Sequence, residues 1–121
     1  MHHATKAYAA TAREIASPRE LEASLLLQAA AKLQAVRDSW QDKPVGLEEA
    51  VLFNRRLWTV FLSSLSSDDE RLPAGIRKNL LRLGVYIMGE TFSLMTAPKP
   101  RHLESIIKIN RGIAAGLRGK S

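Results

Sequence analysis

Histidines and paired acids are the residues of this 121-residue chain whose chemistry could serve catalysis or metal binding. His102 could act as a general base, but Glu104, two residues further on, would lie on a different side of a helix. Asp68 and Asp69 are adjacent, whereas a calcium or magnesium loop needs further oxygen ligands at alternating positions and usually a glycine. We therefore predict no catalytic residues, no metal site and no cofactor, and we expect that the protein is not an enzyme.

The remaining reactive side chains favour the same interpretation. His2 and His3 stand beside the chain terminus, where frayed ends are common, so we do not interpret them as metal ligands. Glu90 falls within a predicted helix, and we expect it to pair with a neighbouring arginine. The chain has no cysteine, which excludes disulfide bonds and thiolate chemistry.

The chain is basic, with a formal net charge of +6, which favours an acidic partner. Its lysines and arginines are scattered, a pattern typical of a solvated surface. Recognition of single-stranded RNA usually requires exposed aromatic rings for stacking, and most of the seven aromatic residues fall on stripes that we expect to be buried. We therefore do not expect nucleic acid as a direct ligand. Two basic clusters are still predicted on helix surfaces, Arg77, Lys78 and Arg82 in one and Lys108, Arg111 and Arg118 in the other.

No segment of the sequence is long and apolar enough to suggest a membrane helix. The most apolar segment, residues 80–95, contains Arg82 and Glu90 and falls short of the ~18 to 20 apolar residues that cross a bilayer. The first residues lack the apolar core of a secretory signal. We therefore expect a soluble, cytoplasmic protein with no membrane contact.

Four helices must position these side chains, and turn residues mark where they begin and end. Helices are predicted over residues 18–40, 47–65, 73–96 and 100–118, which makes the fold an all-α, small four-helix bundle. Ser17 supplies the cap and Pro18 the first residue of the first helix. We expect a single helical-bundle domain over residues 17–121, preceded by an N-terminal arm over residues 1–16.

The first, second and fourth predicted helices each carry one apolar stripe that must face the core. In two of these stripes an asparagine interrupts the apolar residues, Asn54 in the second helix and Asn110 in the fourth. Because a buried amide without a hydrogen bond costs roughly 1 to 3 kcal/mol, we predict that both are mostly buried and that at least one bonds across a helix interface. The stripes comprise Leu21, Leu25, Ala29, Leu33, Val36 and Trp40 in the first helix, Leu47, Val51, Leu57, Trp58, Phe61, Leu62 and Leu65 in the second, and Leu103, Ile106, Ile107, Ile113, Ala114 and Leu117 in the fourth.

The third predicted helix has apolar residues over a wider arc than the others. Such an arc is normally covered on two sides, so we predict that this helix is the most buried of the four. Gly84 and Gly89 lower its helix propensity, which indicates the close approach of another helix or a slight bend. Its two adjoining stripes are Ile76, Leu80, Leu83, Ile87 and Leu94, and Leu81, Val85, Met88, Phe92 and Met95.

Four phrases follow one another along the chain, SPRELEASLLLQAAAKLQAVRDSW, FNRRLWTVFLSSL, RLPAGIRKNLLRLGVYIMGET and INRGIAAGLRG. Together they resemble the FlaF family of flagellar biosynthesis regulators, found in flagellated alphaproteobacteria. The resemblance implies a small cytoplasmic protein that controls flagellin synthesis and supports flagellin secretion, by binding flagellin as a chaperone and acting with the partner regulator FlbT. Two alternatives stay open. One is an RNA-binding post-transcriptional regulator of flagellin mRNA, and the other is an adaptor that acts only through FlbT.

The resemblance also implies candidate partner-binding residues, because its most specific phrases surround the two asparagines. A packing role is the alternative for each candidate, above all for Trp58, whereas the three arginines are expected on the outward edges of their stripes. For the two glycines, a helix tail frayed by glycines, with cations near its negative end, competes with a small-residue groove that admits another helix. A dimer is compatible with these features and is not required by them. The candidates are Asn54, Arg55, Arg56, Trp58, Asn110, Arg111, Gly112 and Gly116.

Overall fold

Four α-helices make up the part of the chain that the computed structural model describes, which is residues 18–41, 44–66 and 74–119. They are α1 (Pro18–Asp38), α2 (Leu47–Ser66), α3 (Ala74–Thr96) and α4 (Pro100–Leu117). No β-strand occurs in these described ranges, so the all-α class and the positions of the four helices are confirmed. The arm predicted over residues 1–16 and the Ser17 cap lie outside the described residues.

Glycine and proline fix the ends of the helices where the sequence placed them. Gly46 has a φ of 81°, a conformation that glycine adopts without strain, and its carbonyl accepts a hydrogen bond of 3.0 Å from the Ala50 N–H. Pro100 occupies the start of α4, where its missing N–H is no loss. Gly119 has a φ of 71°, and its N–H donates to the Gly116 carbonyl at 3.0 Å. Helix α4 therefore ends in a glycine cap.

The four helices form an antiparallel ring in which each helix packs against its neighbours in sequence and α1 packs most extensively against α4. Ion pairs at both ends of the α1–α4 contact show the antiparallel direction. Arg37 Nε lies 2.6 Å from Glu104 Oε1 where α1 ends and α4 begins, and Arg118 Nε lies 2.9 Å from Glu20 Oε1 at the opposite end. Short connections between successive helices produce the same up-and-down order.

Three of the six buried residues of α1 are alanines, and the buried face departs from the predicted stripe in the first half of the helix. Leu21 is exposed and Leu25 is only half-buried, so the prediction for these two leucines was wrong. Runs of consecutive leucines and alanines allow several choices of face. The buried residues are Ala23, Leu26, Ala29, Ala30, Leu33 and Val36.

The stripes of α2 and α4 supply the centre of the core largely as predicted. Trp58 is fully buried, and its ring meets that of Phe61 edge-on, with centroids 5.5 Å apart and an angle of 86° between the planes. This geometry is favourable because the positive edge of one ring faces the negative face of the other. Leu47, Leu57 and Leu62 pack against the core from its margin. The other buried residues of the two helices are Ala50, Val51, Asn54 and Leu65 in α2, and Leu103, Ile106, Ile107, Asn110 and Ala114 in α4.

The prediction that the third helix is the most buried was wrong. Helix α3 is covered along one stripe, whereas its second stripe faces outward, with Val85 73%, Phe92 67% and Met95 62% exposed. Leu81 and Met88 in the same stripe are half-buried. A wide apolar arc on a helix shows that its surface suits an apolar partner. It does not show whether that partner is another helix of the same chain or a second molecule. The buried residues of α3 are Leu80, Gly84, Ile87, Thr91 and Leu94.

Of the two glycines in α3, one allows close helix packing and the other does not touch another helix. A Cβ at Gly84 would lie 2.9 Å from both Cγ and Cδ1 of Leu62, closer than carbon atoms pack, so the Leu62 side chain can keep its position only while residue 84 is a glycine. A Cβ at Gly89 would meet nothing within 4 Å in the described part of the chain. The predicted close approach is therefore confirmed at Gly84, whereas at Gly89 the alternative of a slight bend stays a prediction.

Candidate partner-binding surface

A chain of hydrogen bonds links α2 and α4 through the middle of the core. Trp58 Nε1 donates to Asn110 Oδ1 at 2.9 Å, and Asn110 Nδ2 donates to Asn54 Oδ1 at 2.7 Å. An indole N–H can only donate, so it fixes the orientation of the Asn110 amide and, through that amide, the orientation of Asn54. Both asparagines are at most 1% exposed, which confirms that they are buried and that they bond across a helix interface.

The same direction of bonding leaves one donor of this hydrogen-bond network without a partner among the described residues. Asn54 Nδ2 is buried, and no acceptor in the described ranges lies within hydrogen-bond distance of it. An unsatisfied buried donor costs about 1 to 3 kcal/mol, so the network is not optimised for stability alone. Its three side chains are enclosed by the bundle, which favours the packing role that the sequence left open for Asn54, Trp58 and Asn110.

The other candidates lie on the surface, and they do not form one patch. Arg55 and Arg56 are exposed on α2, whereas Arg111 is exposed on α4 with its guanidinium 3.4 Å from a glutamine of α1. A Cβ at Gly112 or Gly116 would meet nothing within 4 Å, so no helix in the described part of the chain uses these glycines for close packing. Binding of a partner by any of these five residues stays a prediction.

Arg55 borders an apolar groove, which we name the α2–α3 groove, between the first half of α2 and the last turns of α3. The groove has a volume of about 430 Å³. Val51 and Leu94 are buried at its base, and Leu52 and Met95 are exposed at its margin. An open apolar depression bordered by charged groups suits an apolar side chain of a partner. The groove is lined by Leu47, Glu48, Val51, Leu52 and Arg55 on the α2 side and by Leu94, Met95 and Pro98 on the other.

The outward residues of α3 continue this groove along the bundle, and we name them the α3 stripe: Leu81, Val85, Met88, Phe92 and Met95. Successive members are separated by four, three, four and three residues, the spacing of a helix face that packs against another helix. Met95 belongs to both the stripe and the groove. The two features therefore form one continuous apolar surface. Single exposed leucines or valines scattered over a protein do not form such a surface.

Basic side chains border this apolar surface on both sides. Arg55 stands on the α2 side, and Lys78 and Arg82 are exposed on the first half of α3. Glu48 is the acid among the groove-lining residues. The local charge therefore has the same sign as the formal net charge of the chain.

A histidine–carboxylate pair between α3 and α4 was not anticipated from the sequence. His102 Nδ1 is hydrogen-bonded to Glu90 Oε2, and both side chains are mostly buried, so the prediction that an arginine would pair with Glu90 was wrong. Ser105 bonds through Oγ to the Tyr86 hydroxyl at 2.9 Å and not to the histidine. The pair therefore braces α3 against α4. The two residues are twelve positions apart and are separated by a proline-containing turn, so no local spacing pattern predicts this contact.

Within the described ranges, no three histidine, cysteine or acidic residues converge as metal ligands would. Among the helices of those same ranges, none combines the length and apolar character needed to span a membrane.

Comparison with known proteins identifies one family. The family model described as "Flagellar protein FlaF" matches residues 4–117, which is nearly the whole chain. No curated protein and no solved structure matches the chain significantly.

Proposed function

Since the chain belongs to the FlaF family of flagellar proteins, we propose that it binds flagellin as a chaperone, and that it thereby controls flagellin synthesis and supports flagellin secretion. A flagellin must be held unassembled before export, and its terminal segments are amphipathic chains that fold when they pair. A helical bundle with an apolar groove between two helices can cover such a segment.

The observation that carries this proposal is the outward apolar surface of α3. The bundle closes its core without Val85, Phe92 and Met95, all more than 60% exposed. Exposed apolar side chains that form a continuous surface are typical of protein–protein contacts. A flagellar protein that needs such a surface is expected to bind a flagellar polypeptide.

A direct role in binding flagellin mRNA is the second candidate function. Phe92 offers an exposed ring on which a base could stack, and Lys78 and Arg82 lie on the same helix. Such binding should weaken steeply with salt, because phosphate contacts release counterions. An adaptor that binds FlbT and neither flagellin nor RNA is the third candidate.

The experiment compares three ligands for the purified protein at moderate salt: flagellin, FlbT and an RNA carrying the flagellin leader. Capture of flagellin, with weak RNA binding that disappears as salt is raised, supports the chaperone proposal. Salt-sensitive RNA binding with no captured flagellin would replace it by the second function. Capture of FlbT alone would replace it by the third.

Two surface arginines supply the variants for this comparison. We expect Arg55→Glu with Arg111→Glu to weaken capture while changing the thermal midpoint little, because both side chains are exposed. Arg55 lines the α2–α3 groove, whereas Arg111 lies in a separate depression between α1 and α4, so each single variant then shows which of the two surfaces the partner uses. An unfolded double variant would instead assign these arginines a structural role.

A further inference from the structure

Resting on the proposed function, we infer that the α3 stripe and the α2–α3 groove bind one helical segment of the partner, an amphipathic helix whose apolar stripe is bordered by acidic residues. Three observations determine this occupant: the spacing of the exposed side chains, the depth of the surface and the charge around it.

The spacing of the α3 stripe matches a helix and not an extended segment. From Leu81 to Met95 the stripe runs through four turns, about 21 Å, with intervals of four and three residues. A partner helix with the same intervals can place its side chains between those of α3 over that whole length. An extended strand repeats every two residues and needs a free sheet edge, and the described residues contain no strand.

The depth of the surface suits side chains that insert between those of α3. Half-buried Leu81 and Met88 alternate with exposed Val85 and Phe92, so the stripe has both hollows and projections. At its end the stripe opens into the α2–α3 groove, where a larger apolar side chain of the partner can enter. Met88 and Met95 adapt readily to such side chains because methionine is unbranched and flexible.

The basic residues around this surface favour a partner helix with acidic residues beside its apolar stripe. Leu62 of α2 packs opposite Gly84, and the first half of α2 lies beside the end of α3, which places Arg55 along the later turns of the stripe. Lys78 and Arg82 stand at its earlier turns. Acidic residues beside the apolar stripe of the partner would pair with these cations, as the charged edges of a coiled coil do.

The same charge disfavours a second copy of this chain as the occupant. Two stripes packed together would bring Lys78 and Arg82 of both copies to one interface, and the chain as a whole carries a formal charge of +6. Like charges brought together across an interface oppose association.

The experiment uses the full chain and two kinds of ligand, purified flagellin and a synthetic amphipathic peptide of about 21 residues with alternating three- and four-residue apolar spacing and glutamates on its borders. A second peptide has lysines in place of the glutamates. We expect the acidic peptide to bind the unaltered protein at least about tenfold more tightly than the lysine peptide, with a difference that shrinks as salt is raised from about 50 to about 500 mM.

Phe92→Glu tests the stripe, and Val60→Glu is its matched control. Val60 is 69% exposed on the opposite side of α2, so both variants place a glutamate on an exposed helix surface. We expect Phe92→Glu to weaken binding of flagellin and of the acidic peptide by at least about tenfold, and Val60→Glu to change either by less than about twofold. We expect Arg82→Glu to weaken binding as well, because it replaces an exposed cation beside the α3 stripe by an acid.

The outcomes separate this inference from the proposed function. Equal loss of flagellin binding in Phe92→Glu and Val60→Glu, or none in either, overturns the helix site while the chaperone function stands. Binding of the acidic peptide with the expected variant pattern, but no binding of flagellin, supports the site and overturns the function. A dimer of the unaltered protein that Phe92→Glu dissolves would show that a second copy occupies the surface, and would overturn the inference.

Discussion

Substitution of the two glycines in α3 by alanine tests whether close packing of α2 on α3 forms the floor of the candidate surface. Alanine favours a helix over glycine by about 1 kcal/mol at either position. At Gly89 no atom of the described residues opposes this gain, because none would lie within 4 Å of a Cβ there. We therefore expect Gly89→Ala to raise the free energy of unfolding by about 0.5 to 1 kcal/mol, which for a domain of this size raises the melting temperature by roughly 2 to 4 °C.

At Gly84 the same helix gain is opposed by overlap with Leu62. The added Cβ would lie 2.9 Å from Cγ and Cδ1 of that leucine, so its side chain must turn away or the helices must separate. Overpacking of this kind costs about 1 to 3 kcal/mol, more than the helix gain. We expect Gly84→Ala to lower the free energy of unfolding by about 1 kcal/mol.

Removal of the overlapping atoms should reverse the sign of the effect. In a Leu62→Ala background the leucine Cγ and both Cδ atoms are absent, and Gly84→Ala should then stabilise by about 0.5 to 1 kcal/mol, as Gly89→Ala does. Urea unfolding of the four combinations at positions 62 and 84 measures this coupling directly, with an expected size of about 2 kcal/mol. If Gly84→Ala stabilises the unaltered protein as much as Gly89→Ala does, with no coupling to Leu62, the close packing of α2 on α3 is refuted.

Two further predictions concern polar contacts. Asn110→Leu leaves both hydrogen-bond partners of Asn110 unpaired inside the core and should lower the free energy of unfolding by about 2 to 5 kcal/mol. Asn54→Leu should cost less, because it also removes the unpaired Nδ2. Urea unfolding that ranks the two variants in the opposite order would contradict the bonding direction described above. Glu104→Gln removes the exposed ion pair with Arg37 and should lower the free energy of unfolding by less than about 1 kcal/mol at low salt. The difference in melting temperature from the unaltered protein should be smaller at about 1 M salt, because salt screens exposed charges. A large loss of stability that does not change with salt would show that the pair is shielded from solvent.

The sequence predicts the helices and two of the core stripes because their determinants are local. Proline and glycine mark the helix ends, and the apolar spacing of α2 and α4 has one choice of face. Even the burial of Asn54 and Asn110 follows from that spacing, since an amide in an apolar stripe enters the core with its neighbours. The hydrogen bond between the two asparagines depends on how the helices are placed in the bundle. From the sequence we could predict only that each buried amide needs some hydrogen-bond partner.

Features that depend on the relative placement of helices were missed or wrongly predicted. The pairing of Glu90 with His102 depends on how α4 returns along α3, and no spacing rule covers such a contact. The buried face at the start of α1 was wrongly predicted because alanine carries a weak apolar signal, so that buried Ala23 was passed over in favour of exposed Leu21. The resemblance to a family placed partner contacts near Arg55 and Arg111, and it did not point to the α3 stripe, whose exposure is visible only once the bundle is assembled.

The core and the most exposed part of the candidate surface use different residues of α3, and this separation explains why the bundle can leave part of an apolar stripe exposed. Trp58 and Asn110 join α2 to α4 across the centre of the ring, and α1 packs extensively against α4. Helix α3 is held by its inner stripe, by the contact at Gly84 and by the histidine–carboxylate pair with α4, while the two half-buried members of the α3 stripe pack at the margin of the core. Because the core closes without the three exposed members of the stripe, their apolar character is free to serve a partner, and substitutions at those three positions should separate binding from stability.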